Sequence, residues 1–318
     1  MNQSGNAIVT IEEAQAKLDE ATKEVFADKQ YLARIMKRFV SEYSDCSLED
    51  IQNKYIEEGS IHVSKVGVAK NLTNIEGNSN DDTSINEGNV RYDILFHAIY
   101  PGDESLEEKR FIGLYINIEL QNKYYPGYPL EMRGIYYSAR RLSSQLIAIN
   151  ENTNYGCLEK VYSIWICMGN VPDKDAGIVS RYYIEKDDII GHIKRDRSIY
   201  DLLEVIMIRI NDHMQSDDDT LNLLQTIFSG IISQDEKVEK LKAAGIVMDN
   251  DMTGGVSEMC NYSEYILEKG RVLEYISIRR EDGWDEAKIE KGIIEKFHIS
   301  EEYAKKWMKE ASLLPVTN

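Results

Sequence analysis

The chain has 318 residues, 42% of them hydrophobic, and a formal net charge of −18. This apolar content suffices for a folded core and excludes a wholly disordered chain. No segment approaches the roughly 18 consecutive apolar residues of a membrane helix, so we expect no membrane partner. The acidity disfavours non-specific binding to nucleic acid, but the stretch from Arg91 to Gln145 has as many basic as acidic residues and leaves phosphate binding open.

The cysteines and histidines lack the spacing of a zinc site. None of the cysteines forms a C-x-x-C pair, and residues 1–10 lack the basic start and apolar run of a secretory signal. We therefore expect reduced thiols in a cytoplasmic protein. The residues concerned are Cys46, Cys157, Cys167, Cys260, His62, His97, His192, His213 and His298.

Three helices are predicted in the first part of the chain. Thr10 and Glu13 have the spacing of a capping box, which predicts a helix that runs to about Ala27. Apolar residues at helical spacing predict a second helix from Lys29 to Tyr43. Ser47 is expected to cap a third helix, which ends near Glu57.

The centre of the chain has the pattern of a mixed α/β domain. A polar stretch from Lys70 to Asn89 is predicted to be a mobile loop or an irregular hairpin connection. Runs of apolar and β-branched residues then predict four strands. A helix that Pro126 and Pro129 open and that runs to about Ile149 separates the second strand from the third. The strands are Val90–Tyr100, Phe111–Gln121, Val161–Met168 and Val205–Ile210, the last at a sheet edge or in a second layer.

The last third of the chain carries helical periodicity, so we predict a helical C-terminal region. Its final two helices, with Ser300 as a cap, resemble a helix-turn-helix, but their many acidic residues disfavour a role in reading DNA. We interpret residues 1–28 as an N-terminal helix, 29–215 as the α/β domain and 216–318 as the helical region. The predicted helices are Asp219–Ile232, Gln234–Ala244, Gly255–Arg279, Asp285–Phe297 and Glu301–Leu313.

Three polar residues of the predicted strands have the spacing of a metal site. Asp93 lies in the first strand, and Glu119 and Gln121, two residues apart, project from one face of the second. If the strands pair as a hairpin, the three side chains converge at one end of the sheet. Mg²⁺ prefers oxygen ligands and needs only one or two protein carboxylates. The alternative is that the carboxylates are ordinary residues of a solvent-exposed sheet face.

The segment around these residues resembles a known family. Asp93 followed by Ile118-Glu119-Leu120-Gln121 is similar to the D…(D/E)-x-K signature of PD-(D/E)XK nucleases, with Gln in the position of the Lys. The longer stretch INIELQNKYYPGYPLEMRGIYYSARRLSSQ resembles the bacterial PD-(D/E)XK nuclease family transposases, which are relatives of the recombination-promoting nucleases. The resemblance runs from about Tyr31 to Cys260.

The resemblance implies a restriction-endonuclease-like αβββαβ core with a mixed sheet, within residues 29–215. It implies that Asp93 and Glu119 hold Mg²⁺ or Mn²⁺ and that Gln121 orients the attacking water. It also implies an acidic residue on the first core helix. Glu42, at the inward edge of the predicted second helix, is the first candidate, and Glu87 is the second.

Gln121 departs from the family pattern. A Lys in its place would bring a positive charge to the water or the phosphate, whereas Gln can only form hydrogen bonds. Lys123 or Arg133 is the candidate source of the missing charge.

The predicted helix after the second strand offers further groups for a phosphate. Arg133, Tyr137 and Arg140 or Arg141 lie three or four residues apart and share one face. An Arg there can clamp a phosphate, and Tyr137 can stack on a base. The alternative is that the arginines pair with acidic neighbours such as Glu131 and that Tyr137 belongs to the core.

Two functions are compatible with these residues. The first is a metal-dependent nuclease that hydrolyses phosphodiester bonds, with DNA as the expected partner, and the intact Asp93 and Glu119 favour it. The second is a nuclease-fold protein of weak or no activity that acts as a binding or assembly module through its C-terminal helices. Gln121 and the acidity of the chain favour that alternative. Both are compatible with a homo-oligomer.

Overall fold

The computed structural model of the chain describes residues 10–64, 81–84, 87–101, 113–146 and 153–312. Contacts divide the chain into two units. The larger unit is Thr22–Val256, and the smaller unit consists of Met1–Ala21 and Ser257–Asn318. The larger unit contains a six-stranded sheet with helices, and the smaller unit is helical. The fold is therefore α/β with a helical C-terminal region, as the sequence predicts.

Two helices begin the described chain. Helix α1 spans Ile11–Phe26, and its capping box is confirmed, since Thr10 N–H donates to Glu13 Oε2 at 2.7 Å and Glu13 N–H to Thr10 Oγ1 at 3.1 Å. Helix α2 spans Lys29–Phe39, four residues shorter than predicted, because Val40 is extended and Ser41–Tyr43 form a separate 3₁₀ turn.

The third helix is short and irregular. Helix α3 spans Leu48–Asp50 and continues as a π-helical turn over Ile51–Tyr55. Its predicted cap is confirmed, because Asp50 N–H donates to Ser47 Oγ at 3.0 Å.

The described strands are β1 His62–Val63, β2 Asp81–Ser84, β3 Glu87–Arg91, β4 Ile94–Ile99, β5 Gly113–Gln121, β6 Lys160–Cys167, β7 Val179–Tyr183 and β8 Leu203–Arg209. The main sheet is mixed and has the strand order β1-β4-β5-β6-β8-β7. The pairs β1–β4, β4–β5 and β7–β8 are antiparallel, whereas β5–β6 and β6–β8 are parallel. Strands β2 and β3 form a separate antiparallel hairpin.

The observed sheet differs from the sequence prediction at strands β7 and β8. Strand β8 was expected at an edge or in a second layer, which is wrong: it lies between β6 and β7, and β7 is the edge. Strand β7 escaped prediction because its five residues alternate between half-buried and exposed and form no apolar run. The predicted loop from Lys70 to Asn89 lies partly outside the described residues, and its described part belongs to the β2–β3 hairpin.

Helix α4, Leu130–Ser144, packs on one face of the sheet. Gly134 permits this packing, since a Cβ there would lie 2.7 Å from Val205 Cγ1. The side chain of Trp165, on β6, is buried beneath the helix. Glu119 pairs with Trp165 in the parallel register, so its side chain projects from the sheet face on which α4 packs. The core on this face consists of Leu130, Trp165, Cys167, Val171, Val205 and Met207.

The remaining helices of the larger unit pack among themselves and with α2. Helices α5 and α6 span Asp219–Phe228 and Gln234–Ala243, and α7 begins at Asn250. The ring of Phe26, at the end of α1, stacks on Tyr31 of α2 at 5.4 Å and contacts Phe228 of α5 at 5.1 Å between ring centroids. These aromatic contacts fix the last turn of α1 in the larger unit.

The smaller unit contains most of α7, Asn250–Glu281, together with α8, Glu286–Phe297, and α9, Glu301–Ala311. His298 adopts a left-handed conformation, φ 55°, between α8 and α9, and Ser300 caps α9 as predicted. Its core consists of Val272, Ile276, Ile289, Ile293, Ala304, Trp307 and Met308. Within the described ranges, no helix of either unit combines the length and apolar character needed to cross a membrane.

Candidate functional site

Asp93 and Glu119 lie side by side at one end of the sheet. Asp93 directly precedes β4, and Glu119 is near the C-terminal end of β5. Since Ile94 pairs with Ile118, the antiparallel register places Asp93 opposite Glu119. The Asp93 N–H donates to Glu119 Oε1 at 3.2 Å, and the Leu120 N–H donates to Asp93 Oδ2 at 3.0 Å. The two strands therefore hold both carboxylates in place through their backbones.

A lysine from α1 completes this pair. Lys23 Nζ lies 2.8 Å from Asp93 Oδ1, and the two side chains are 5% and 20% exposed. Glu119 is likewise buried. The sequence analysis missed Lys23, because an α1 lysine far from both carboxylates along the chain has no spacing that would indicate it.

Gln121 faces the loop after β5 and helix α4. Its Nε2 donates to the Lys123 carbonyl at 2.6 Å, and its Oε1 accepts a long hydrogen bond from Arg133 Nη1 at 3.4 Å. The amide group is thus engaged at both ends. The Lys123 side chain is exposed. Gln121 also pairs with the buried Cys167 in the parallel register, so its backbone is fixed in the sheet.

Arg133 is held beside the site by aromatic rings. Its guanidinium lies 4.9 Å from the Tyr137 ring centroid and 5.2 Å from that of Trp165, and Nη2 donates to the Tyr137 hydroxyl at 2.7 Å. Burial lowers the pKa of Arg133, but the hydrogen bond to Tyr137 and the electrostatic influence of Tyr137, Tyr128 and, least, Glu119 outweigh burial and raise the pKa. Arg133 is therefore a positive charge that is fixed in position and interacts electrostatically with Glu119.

Tyr137 belongs partly to the core. Its ring packs edge-on against Tyr92 at 5.6 Å, and the Tyr92 hydroxyl donates to the Tyr137 carbonyl at 3.2 Å. Burial raises the pKa of Tyr137 most strongly, and the charges of Glu119 and Asp93 also raise it, which together outweigh the lowering by the hydrogen bond and charge of Arg133. Tyr137 therefore stays protonated and positions Arg133.

The two later arginines of α4, Arg140 and Arg141, lie away from the Asp93–Glu119 pair. Arg140 is seven residues beyond Arg133, roughly 10 Å further along the helix. The guanidinium of Arg141 lies 4.0 Å from the Tyr115 ring centroid. Tyr115 precedes Glu119 by four residues on β5, so Arg141 contacts a part of the strand remote from Glu119.

The expectation that Glu42 joins the carboxylates is wrong. Its Oε2 accepts a hydrogen bond from the Tyr162 hydroxyl at 2.5 Å, and Lys160 Nζ lies 3.5 Å from its Oε1. Tyr162 pairs with Ile116, three residues before Glu119, and projects from the sheet face opposite to Trp165. Glu42 lies away from the carboxylates because helix α2 ends at Phe39, and Glu42 belongs to the 3₁₀ turn that follows it. The side chain of Glu87, the second candidate, lies outside the described residues.

A second polar cluster surrounds His97 on β4. Its Nδ1 lies 2.7 Å from Glu57 Oε2, and its Nε2 lies 3.1 Å from Glu159 Oε2. Burial lowers the pKa of His97, but the hydrogen bonds and charges of Glu159 and Glu57 outweigh burial and raise the pKa. These residues, with Tyr115 and Arg141, line an open cavity of about 680 Å³. Sequence reasoning missed the cluster, because the three elements involved are remote in the chain.

The chemistry of the Asp93–Glu119 pair suits a hard cation. In the part of the chain that the structure describes, no three His, Cys, Asp or Glu side chains form a metal-binding group. An ion at the two carboxylates would therefore complete its coordination with water, as Mg²⁺ commonly does. Because Lys23 already neutralises Asp93, its ammonium would share that carboxylate with the ion. Asp93 and Glu119 are thus two oxygen ligands of the type that Mg²⁺ prefers, and one of them also contacts Lys23.

Comparison of the chain with protein family models, with curated proteins and with solved structures gave no match.

Proposed function

We propose that the protein is a metal-dependent nuclease that hydrolyses phosphodiester bonds, with DNA as its substrate. The observation that carries the proposal is the backbone-fixed pair of Asp93 and Glu119 at one end of a mixed sheet. Catalytic carboxylates need such positioning, because a metal bound between them must stay within a few tenths of an ångström of its working place.

The topology supports a restriction-endonuclease-like αβββαβ core. Helices precede β1, and strands β1, β4 and β5 are neighbours with antiparallel pairing. Helix α4 then connects β5 to its parallel neighbour β6. Glu119 and Gln121 therefore lie at the carboxyl end of a strand with a parallel partner, the usual place for sites in such sheets.

In this proposal Asp93 and Glu119 would hold Mg²⁺ or Mn²⁺, which lowers the pKa of bound water and neutralises phosphate charge. Hydrolysis joins the water oxygen to phosphorus, breaks one P–O ester bond, and transfers a proton from water to the leaving sugar oxygen through solvent. Arg133 supplies a fixed charge for a phosphate, and the exposed Lys123 can bind a neighbouring phosphate. The Gln121 amide would have to break its hydrogen bond to the Lys123 carbonyl before it could contact the attacking water.

A second candidate is a binding or assembly module with weak or no activity. The contacts of Gln121 favour it, since both ends of the amide are engaged within the protein. An amide held in this way cannot orient a water without first breaking a hydrogen bond. The helical smaller unit would then carry the interaction, and assembly into a homo-oligomer would be one form of it.

Cleavage assays separate the two candidates. Supercoiled plasmid and single-stranded DNA are incubated with wild type and Asp93→Asn in Mg²⁺, in Mn²⁺ and in a chelator. We expect wild type to cleave only with metal and Asp93→Asn to be inactive. Asp212→Asn, at an exposed position after β8, is the matched control and should cleave like wild type. Absence of cleavage by wild type with either ion would favour the binding module.

A further inference from the structure

Exposed aromatic rings lie on the loop that follows β5 and on the outer side of α4. Tyr125 and Tyr128 belong to the loop, Tyr136 lies on the helix, and they are 63%, 48% and 49% exposed. Met132, which is also exposed, lies one helical turn before Tyr136. We call these four residues the aromatic surface. Because water disfavours large apolar groups that lie together, a surface of this kind indicates a binding site.

The loop that carries Tyr125 is fixed to the sheet. The Tyr124 N–H donates to the Gly169 carbonyl at 3.1 Å, and a Cβ on Gly169 would lie only 1.5 Å from the Asn122 carbonyl oxygen. The Tyr124 hydroxyl accepts a hydrogen bond from Arg209 Nε at 3.1 Å. The Tyr125 ring packs against the Tyr124 ring at 4.6 Å between centroids. Tyr125 is therefore exposed but held in position, which reduces the entropy lost when a ligand binds.

Positive charge borders the aromatic surface, although the chain as a whole is acidic. From Gln121 to Asn150 the sequence has four basic residues and one acidic residue, Glu131. The Glu131 carboxylate is already paired with a buried arginine of β8. Arg133 and Arg140 lie three residues before and four residues after Tyr136, so the three side chains share one face of α4. Cations beside aromatic rings complement a ligand that combines phosphates with bases.

The aromatic surface adjoins the Asp93–Glu119 pair. Arg133, beside Tyr136 on α4, donates from Nη1 to Gln121 Oε1 at 3.4 Å. The Gln121 amide in turn donates to the carbonyl of the loop residue Lys123 at 2.6 Å. Both the loop and the helix that carry the rings are thus connected to the strand that carries Glu119. A strand of nucleic acid that stacks on these rings would lie beside the carboxylates.

The form of the nucleic acid follows from what the rings can contact. Each base has an aromatic face that a tyrosine ring can stack on, and an unpaired strand exposes this face. In a duplex the neighbouring base pairs cover it, and a base must first leave the stack at a cost of a few kcal/mol. We propose that the aromatic surface binds an unpaired strand of DNA and selects it as the substrate of the adjoining site. The choice of DNA and the link to cleavage rest on the proposed nuclease function, whereas the binding does not.

Binding can be measured without cleavage. Fluorescence anisotropy of an end-labelled oligo-dT in a chelator gives the Kd of wild type and variants. We expect Tyr125→Ala and Tyr136→Ala each to raise the Kd by about 10-fold, as loss of a stacking ring does. Tyr136→Phe keeps the ring and should bind like wild type. Tyr155→Ala is the matched control, because Tyr155 is 59% exposed and precedes the opposite end of β6, and its Kd should not change.

Further ligands identify the chemistry that is recognised. A duplex of the same length should bind at least about tenfold more weakly than oligo-dT, because its base faces are covered. Lys123→Ala should lower the slope of log Kd against log salt by about 0.7, the value for one phosphate contact on a single strand. Oligo-U tests RNA, and tighter binding of oligo-U than of oligo-dT would overturn the choice of DNA.

Two results would overturn the aromatic surface as a DNA site. One is an unchanged Kd in folded Tyr125→Ala and Tyr136→Ala, or equal affinity for the duplex. The other is a wild type that sediments as a dimer and a Tyr136→Ala variant that sediments as a monomer with unchanged DNA affinity, since the surface would then join two copies of the chain. Metal-dependent cleavage in either case would leave the nuclease proposal standing. Binding of oligo-dT through the rings, without cleavage in Mg²⁺ or Mn²⁺, would overturn the nuclease proposal and keep the binding site.

Discussion

Lys23 and Asp93 form an ion pair across 2.8 Å, one from helix α1 and the other from the start of strand β4. Removing one partner leaves the other charge in a place where water screens it poorly. We expect Lys23→Met to destabilise the protein by about 2 kcal/mol, and the double variant with Asp93→Asn to lose less than the sum of the single losses, by about 1 kcal/mol or more. Urea unfolding of the four proteins measures this, and strictly additive losses would contradict the pairing.

Metal should stabilise the folded protein through Asp93. An ion that binds only the folded state contributes roughly 1.4 kcal/mol at ten times its Kd. We expect thermal unfolding of wild type to shift upwards with Mn²⁺ and that of Asp93→Asn to remain where it is, because a ligand is lost. Asp212→Asn should shift like wild type. An equal shift in Asp93→Asn would place the bound ion elsewhere.

The raised pKa of His97 predicts that its contribution to stability depends on pH. A histidine whose pKa is higher in the folded state stabilises fully below its unfolded pKa, about 6.5, and loses this contribution as pH rises through the folded value. We expect His97→Gln to cost about 1 kcal/mol more at pH 5.5 than at pH 9, measured by urea unfolding. The exposed His213→Gln is the control. A cost independent of pH would show that the imidazolium is not the stabilised form.

Glu42 should matter for stability and not for chemistry. It accepts a hydrogen bond from Tyr162 and lies near Lys160, away from the Asp93–Glu119 end of the sheet. We expect Glu42→Gln to lower the free energy of unfolding by about 1–2 kcal/mol and to leave the cleavage rate of the folded protein unchanged. Glu49→Gln, at an exposed position of α3, should affect neither. A large loss of activity in folded Glu42→Gln would restore the role that the family resemblance implies.

The sequence predicted the structural features that depend on residues close together in the chain. The capping box at Thr10 and the caps at Ser47 and Ser300 follow from three-residue spacings, and the structure contains all three. The meeting of Asp93 and Glu119 follows from the alternation of side chains in two strands that pair as a hairpin. The caps need only residues within one helical turn, whereas the meeting of the two carboxylates also needs the pairing of two consecutive strands.

The features that could not be predicted from the sequence depend on tertiary contacts. Lys23 reaches Asp93 because Phe26 packs between two other helices, which no local pattern indicates. Glu42 leaves the expected helix face because Val40 turns extended after Phe39. His97 gains its two carboxylates from Glu57, in the loop between the π-helical turn and β1, and from Glu159, in the loop before β6. In each case the decisive partner is distant in sequence.

Cys167 gives the protein an internal chemical reporter. It is buried at the end of β6, opposite Gln121, and burial raises its pKa to about 12. Alkylating reagents attack the thiolate, so at neutral pH this sulfur reacts only when the sheet end opens, whereas the exposed Cys157 is reached at once. The rate at which iodoacetamide modifies Cys167 therefore reports how often the core between the sheet and α4 opens, and a ligand that binds Asp93 and Glu119 and stabilises the folded protein should slow it.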